Sequence, residues 1–161
     1  MTLNETLHRK LADWRPPEGR HDLTVPDEAG AWAVTVTADR CDELGCLVWE
    51  INLTRRAGAA GRGLDLSAWA QSVVARVTGL LEPLKVVEID PVRNEGLLRS
   101  NTAARRGDKI FYYEVLLIGT SAAQVRRFQA EQSGTCRREQ VAFALTHEAL
   151  AKLAGDLIAE R

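Results

Sequence analysis

One stretch, Lys109–Gly119, constrains the fold more than any other part of the chain. After its first residue it carries a single charge, Glu114, among aromatic, leucine, isoleucine and valine side chains, and it ends at a glycine. Successive residues of a strand point to opposite faces, so both faces of this strand are largely apolar. Such a strand is typical of the middle of a sheet that is covered on both sides over part of its length. We therefore expect a central strand here, with Val115 fully buried.

The rest of the chain predicts a single α+β domain over residues 1–161. Three apolar stripes with helical spacing predict amphipathic helices, the second capped by Ser67 and the third by Thr146. Eight further segments read as strands: 21–25, 32–37, 47–54, 86–89, 97–98, 109–119, 124–130 and 138–145. The order is α-βββ-α-βββββ-α. Because adjacent strands outnumber helices, it favours a mainly antiparallel sheet of seven or eight strands over alternating βαβ units.

The segments at 32–37 and 47–54 predict a hairpin. A turn around Asp42 and Glu43 would set Val36 opposite Trp49 on the apolar face, and it would leave a polar face of threonine and acidic or amide residues.

The two runs of strands each end in a helix that serine or threonine can cap. The two helix stripes superimpose in phase, Val73 on Leu150 and Leu81 on Ile158. The strand sequences do not align, however. A weak internal duplication and a chance coincidence of amphipathic helices therefore both stay open.

Composition excludes some classes of protein. The formal net charge of −1 gives no general attraction to nucleic acid or to acidic membranes. No apolar run approaches the roughly 20 residues that span a bilayer, so we expect no membrane association. Three cysteines without a secretion signal favour free thiols and a cytoplasmic location.

Cys41 and Cys46 lie in the hairpin loop, where Asp39, Asp42 and His21 could join them as metal ligands. A zinc site, however, usually shows more closely spaced cysteine pairs. We expect Cys46 to pack as a small apolar residue, and we predict no metal and no cofactor. Residues 55–63, RRAGAAGRG, match neither the dinucleotide fingerprint nor the P-loop. A flexible linker is favoured there over an anion site.

Glu114 and the arginines of the late strands are the candidate ligand-binding residues. A carboxylate on so apolar a strand must be paired, be protonated or face a polar groove. We expect it to pair with Arg99, Arg127 or Arg138 across neighbouring strands. Adjacent arginines point to opposite faces, so each Arg-Arg pair contributes at most one to a common surface.

Three hypotheses of function follow. The leading one is a non-enzymatic binding or scaffolding module that forms a homodimer, or meets another protein, through the stripe Leu3, Leu7 and Leu11. The second is an anion or nucleic-acid binder that uses Arg127 and Arg138, although few exposed aromatics favour nucleic acid. The third is an enzyme with Glu114 in a pocket. The sequence shows no pattern of a catalytic triad, which favours a non-enzyme.

Overall fold

The structure is a computed structural model, and the description below covers residues 1–27, 30–56, 65–133 and 137–158. Within these ranges the chain forms three helices and ten strands. In chain order they are α1 (Leu3–Asp13), β1 (His21–Pro26), β2 (Trp32–Cys41), β3 (Gly45–Arg55), α2 (Leu66–Arg76), β4 (Leu84–Asp90), β5 (Glu95–Ser100), β6 (Ala104–Arg106), β7 (Lys109–Ile118), β8 (Ala122–Glu131), β9 (Arg138–Val141), β10 (Phe143–Thr146) and α3 (His147–Ile158).

All the strands belong to one antiparallel sheet, which confirms the predicted α+β class. The main path of the sheet runs β1-β2-β3-β8-β7-β5-β4, while β6 pairs with β7, β9 with β8 and β10 with β3. The sheet is larger than predicted for two reasons. The chain before β7 adds the short strand β6, and the last predicted strand divides into β9 and β10 at Ala142.

The sheet forks between β3 and β8. Residues 51–54 of β3 pair with residues 122–125 of β8, and beyond that point the two strands separate. The space between them is filled by the last two strands, since β9 pairs with residues 127–130 of β8 and β10 with residues 45–48 of β3. A hydrogen bond of 3.0 Å from Gln140 Nε2 to the backbone oxygen of Trp49 crosses the fork.

The strand β7 lies in the interior of the sheet, between β8 and β5, as its sequence predicts. On one face Tyr113, Val115 and Leu117 are buried in the hydrophobic core, and Val115 is 0% exposed. On the other face of β7, no buried apolar cluster covers Glu114 within the described part of the chain. Cover on that side comes from arginines instead, as described below.

The helices cover the core face of the sheet. The first, α1, packs on α3 and β1, while α2 packs on β4 and β5. The residues Leu3, Leu7 and Leu11 are 2%, 0% and 0% exposed, so the stripe proposed for self-association is buried within its own chain. No helix in the described ranges is long and apolar enough to cross a membrane.

Of the two predicted helix caps, that of α3 is confirmed and that of α2 is wrong. The side chain of Thr146 accepts a hydrogen bond of 3.0 Å from Ala149 N, as expected for the cap of α3. The cap of α2 is Asp65, whose Oδ1 accepts from Ala68 N at 2.7 Å, so the prediction of Ser67 is wrong. Because α2 ends at Arg76, Leu81 lies beyond the helix and is 81% exposed.

The hairpin of β2 and β3 forms, but its turn lies one residue later than predicted. The carboxylate of Asp42 accepts hydrogen bonds from Leu44 N and Gly45 N, which places Glu43 and Leu44 at the centre of the turn. As a result Val36 pairs with Ile51 and not with Trp49. A break in the register next to Trp49 also turns that side chain away from the core.

Candidate anion-binding surface

Charged residues line up across four strands on the face of the sheet away from the helices. Lys85 of β4 pairs with Arg99 of β5, Arg99 with Glu114 of β7, and Glu114 with Arg126 of β8. Arg138 of β9 reaches the same carboxylate. We call these five residues the cationic row. Three arginines share the one carboxylate of this row, and Lys85 adds a fourth cation. Positive charge is therefore concentrated here on a chain whose formal net charge is only −1.

Glu114 is the acceptor on which the arginines converge. Arg138 donates to both of its carboxylate oxygens, and Arg99 Nε donates to Oε2 at 3.2 Å. Arg126 Nη2 lies 3.8 Å from Oε1. Under this cover the Glu114 side chain is only 5% exposed. Burial lowers the pKa of Arg138, but its hydrogen bonds to Glu114 and Tyr112 outweigh that effect, so the pKa is raised overall.

Two aromatic rings hold the guanidinium groups in place. The Phe128 ring is 5% exposed, and the guanidinium carbon of Arg138 lies 3.9 Å from its centroid. That of Arg126 lies 5.1 Å from the same centroid, and that of Arg99 lies 5.5 Å from the Tyr112 ring. Stacking of this kind fixes a flexible arginine before any ligand arrives.

A groove adjoins the cationic row at Lys85 and Arg99. Its volume is about 450 Å³, within the range of small-molecule sites. The residues that line it combine two cations with polar and apolar groups: Lys85, Val87, Arg99, Ser100, Asn101, Ala103, Ile110, Tyr112 and Ala130.

Several hydrogen-bond donors of the cationic row have no acceptor in the described part of the chain. The Lys85 ammonium has no ion-pair partner there, and the Nη groups of Arg99 make no hydrogen bond there. The buried Nε of Arg126 also has no partner among these residues. A cationic surface with unused donors suits an added anion.

Arg127 lies on the opposite face of the sheet, within the core. Its Nη1 and Nη2 donate to the two oxygens of Glu82 at 3.0 and 3.4 Å, and both side chains are at most 10% exposed. Ser100 Oγ donates to Glu82 and accepts from Tyr113 N. The sequence grouped Arg127 with Arg138 as ligand-binding residues, but the register of β7 and β8 puts Arg126 beside Glu114 instead.

The two cysteines of the β2–β3 hairpin are joined by a disulfide, so the prediction of free thiols is wrong for Cys41 and Cys46. The two residues are register partners across β2 and β3, a relation that their spacing did not reveal. The nearby histidine is His147, whose Nε2 lies 3.6 Å from Cys41 Sγ, and not His21. Burial and the charge of Arg15 lower the pKa of His147.

Two sequence interpretations lie outside the described residues. These are the role of Cys136 and that of the glycine-rich segment 57–63.

The sequence missed Lys85, Glu82 and Arg126 as members of these clusters. Each is an ordinary charged residue by composition. Strand register brings Lys85 and Arg126 to their partners, whereas Glu82 reaches Arg127 from the segment between α2 and β4. The adjacent positions of Arg126 and Arg127 did predict that at most one of the two would share a face with the carboxylate.

No protein-family model matches the chain, and no curated protein or solved structure matches it either.

Proposed function

We propose that the protein is a non-enzymatic binding module that holds a small organic anion in the groove beside the cationic row. The observation that carries this proposal is the charge of the cationic row, which has four cations and one carboxylate and lies beside a groove of about 450 Å³. A phosphate or carboxylate is the complementary ligand group, because arginine offers planar paired donors to such oxyanions.

The groove suits a ligand with a charged end and an apolar or ring-shaped body. Lys85 and Arg99 supply the charge, while Val87, Ile110 and Tyr112 supply apolar contact. Glu114 acts as a positioning residue in this proposal, since it keeps the arginines from dispersing into solvent. A catalytic role for Glu114 has less support, because its oxygens already accept hydrogen bonds from Arg99 and Arg138.

Isothermal titration with phenyl phosphate, inorganic phosphate and phenol tests the proposal. We expect phenyl phosphate to bind more tightly than either fragment, because it uses both the cations and the apolar lining. Arg99→Gln and Lys85→Gln should each weaken its binding by about tenfold or more, as loss of a charged hydrogen bond does.

Lys152→Gln is the matched control, since Lys152 lies on α3 and pairs with Asp156. Binding that is equally sensitive to Lys152→Gln would contradict the proposal, as would the absence of any phenyl phosphate binding. Tight binding of a single-stranded oligonucleotide without phenyl phosphate binding would assign the cationic row to nucleic acid instead.

A homodimer and a cytoplasmic location are further parts of the proposal. The dimer would need a surface other than the α1 stripe, because Leu3, Leu7 and Leu11 are buried. Sedimentation at about 0.15 M and about 0.5 M salt tests it, since an apolar interface would persist when exposed charges are screened.

A further inference from the structure

Three side chains of types that bind zinc meet at the turn end of the β2–β3 hairpin. The Sγ atoms of Cys41 and Cys46 and a ring nitrogen of His147 all lie within 4.8 Å of one another. The cysteines face each other across β2 and β3, and His147 is the first residue of α3. The backbone N–H of His147 donates to the Leu44 carbonyl at 3.1 Å, which fixes the start of the helix against the hairpin turn.

The separation of these atoms is close to that of zinc ligands. Zinc bonds of about 2.3 Å to sulfur and about 2.0–2.1 Å to nitrogen, at tetrahedral angles, put sulfur and nitrogen ligands about 3.5 Å apart. The distance from Cys41 Sγ to His147 Nε2 is 3.6 Å. The two sulfurs need to be about 3.8 Å apart by the same bond lengths, which requires the disulfide to be reduced.

The surroundings of these three side chains suit a metal cation bound by two cysteine sulfurs. Cys46 and His147 are 4% and 5% exposed, so bulk water is largely kept from them. The N-terminal end of α3 lies beside the sulfurs, and the dipole of a helix is positive at that end.

We propose that the reduced protein binds one Zn²⁺ through Cys41, Cys46 and His147. Two thiolates and an imidazole form a donor set that zinc prefers over magnesium or calcium. Three protein ligands leave the fourth tetrahedral position for water or an added ligand. Beside the site lies a pocket of about 480 Å³, which Cys46 helps to line.

Zinc and the disulfide exclude each other, because both use the same two sulfurs. Hydrogen peroxide, a two-electron oxidant, would convert one state to the other. The two thiolates give up two electrons and form the S–S bond. Peroxide takes these electrons with two protons to give two waters, and the two Zn–S bonds break. The disulfide state of Cys41 and Cys46 is therefore the metal-free state.

The test begins with full-length Cys136→Ser protein, reduced with a phosphine and loaded with zinc before dialysis. Mass spectrometry should find one zinc per chain, and hydrogen peroxide should release it together with the loss of two thiols. Cys46→Ser and His147→Ala should each weaken zinc binding by at least tenfold against a competing chelator. His21→Ala is the matched control and should retain the affinity.

Cobalt binding can be measured on protein in which Cys41, Cys46 and His147 are all unchanged. Co²⁺ added to the reduced protein should give the charge-transfer absorption of cobalt–thiolate bonds, with the intense visible bands of tetrahedral coordination. A protein without that absorption would overturn the proposal, whether or not the variants fold. Zinc binding that persists in Cys41→Ser and Cys46→Ser would overturn it as well.

Discussion

Arg126 and Arg127 are neighbours in sequence, yet they lie on opposite faces of the sheet and in different chemical settings. Arg127 is buried and has one carboxylate, that of Glu82, to itself. Arg126 shares Glu114 with Arg99 and Arg138 on the face of the sheet opposite the described helices. The core pair is balanced in charge, whereas the cationic row has an excess of positive charge.

The difference separates charges that hold the fold from charges that are available to a ligand. A buried ion pair must be complete, because an unpartnered charge in the core costs several kcal/mol. A row of arginines at the surface reaches water, so its excess charge costs little and stays free to attract an anion. The balance of charge on each face therefore indicates which arginines are structural.

The largest difference in stability should appear between two variants that each place a charge on one face of β7. Val115→Asp should unfold the domain or make it insoluble, because an unpaired carboxylate in the core costs several kcal/mol against a total stability of about 5–15 kcal/mol. Leu116→Asp places the same group on the opposite face, where Leu116 is half-buried and water can reach the carboxylate, so it should cost much less. Thermal unfolding of both variants measures the difference, and equal midpoints would disprove the assignment of the two faces.

The next largest difference in stability should appear between variants that remove the carboxylate of the core pair and the carboxylate of the cationic row. Glu82→Gln leaves the Arg127 guanidinium buried without a counter-charge and should destabilise the protein by about 3–5 kcal/mol. Glu114→Gln should cost about 1 kcal/mol or less, because the arginines around it can turn to water. Urea unfolding compares the two. A larger loss for Glu114→Gln would show that the cationic row is part of the stabilising core.

A smaller effect should appear at alkaline pH through Tyr113, which lies beneath Arg127. Burial raises the pKa of Tyr113, although the charge of Arg127 opposes the shift. Above pH about 10 the unfolded chain loses this proton while the folded chain retains it, so stability should fall as pH rises. Urea unfolding between about pH 8 and about pH 10.5 should show a shallower decline for Tyr113→Phe. Identical declines would contradict the prediction.

The smallest effect is expected at Arg126. Arg126→Gln should change the free energy of unfolding by no more than about 1 kcal/mol, in either direction, because it removes one of several cations that share an acceptor. The change should shrink at about 0.5 M salt, where exposed charges are screened. Urea unfolding at low and high salt measures both quantities. A loss that is large and independent of salt would place Arg126 with the structural charges.

Hydrophobic periodicity was sufficient to predict the helices, the central strand and the burial of Val115. Periodicity says which residues share a face, but it does not give the register between two strands. For this reason Arg126 and Arg127 were equivalent from sequence, although only one of them can reach Glu114. Periodicity also does not predict contacts between residues far apart in sequence, so the contact of His147 with Cys41 was not predicted.

The fork in the sheet has a consequence for how the chain folds during synthesis. β3 acquires its partners β8 and β10 only after residues 122–146 have been made. Until then the nascent hairpin of β2 and β3 presents an unpaired edge, the kind of edge that invites pairing with another chain. Closing the sheet joins segments far apart in sequence, which makes folding slow compared with that of local hairpins. The β2–β3 hairpin therefore remains exposed until the strands that pair with it have been made.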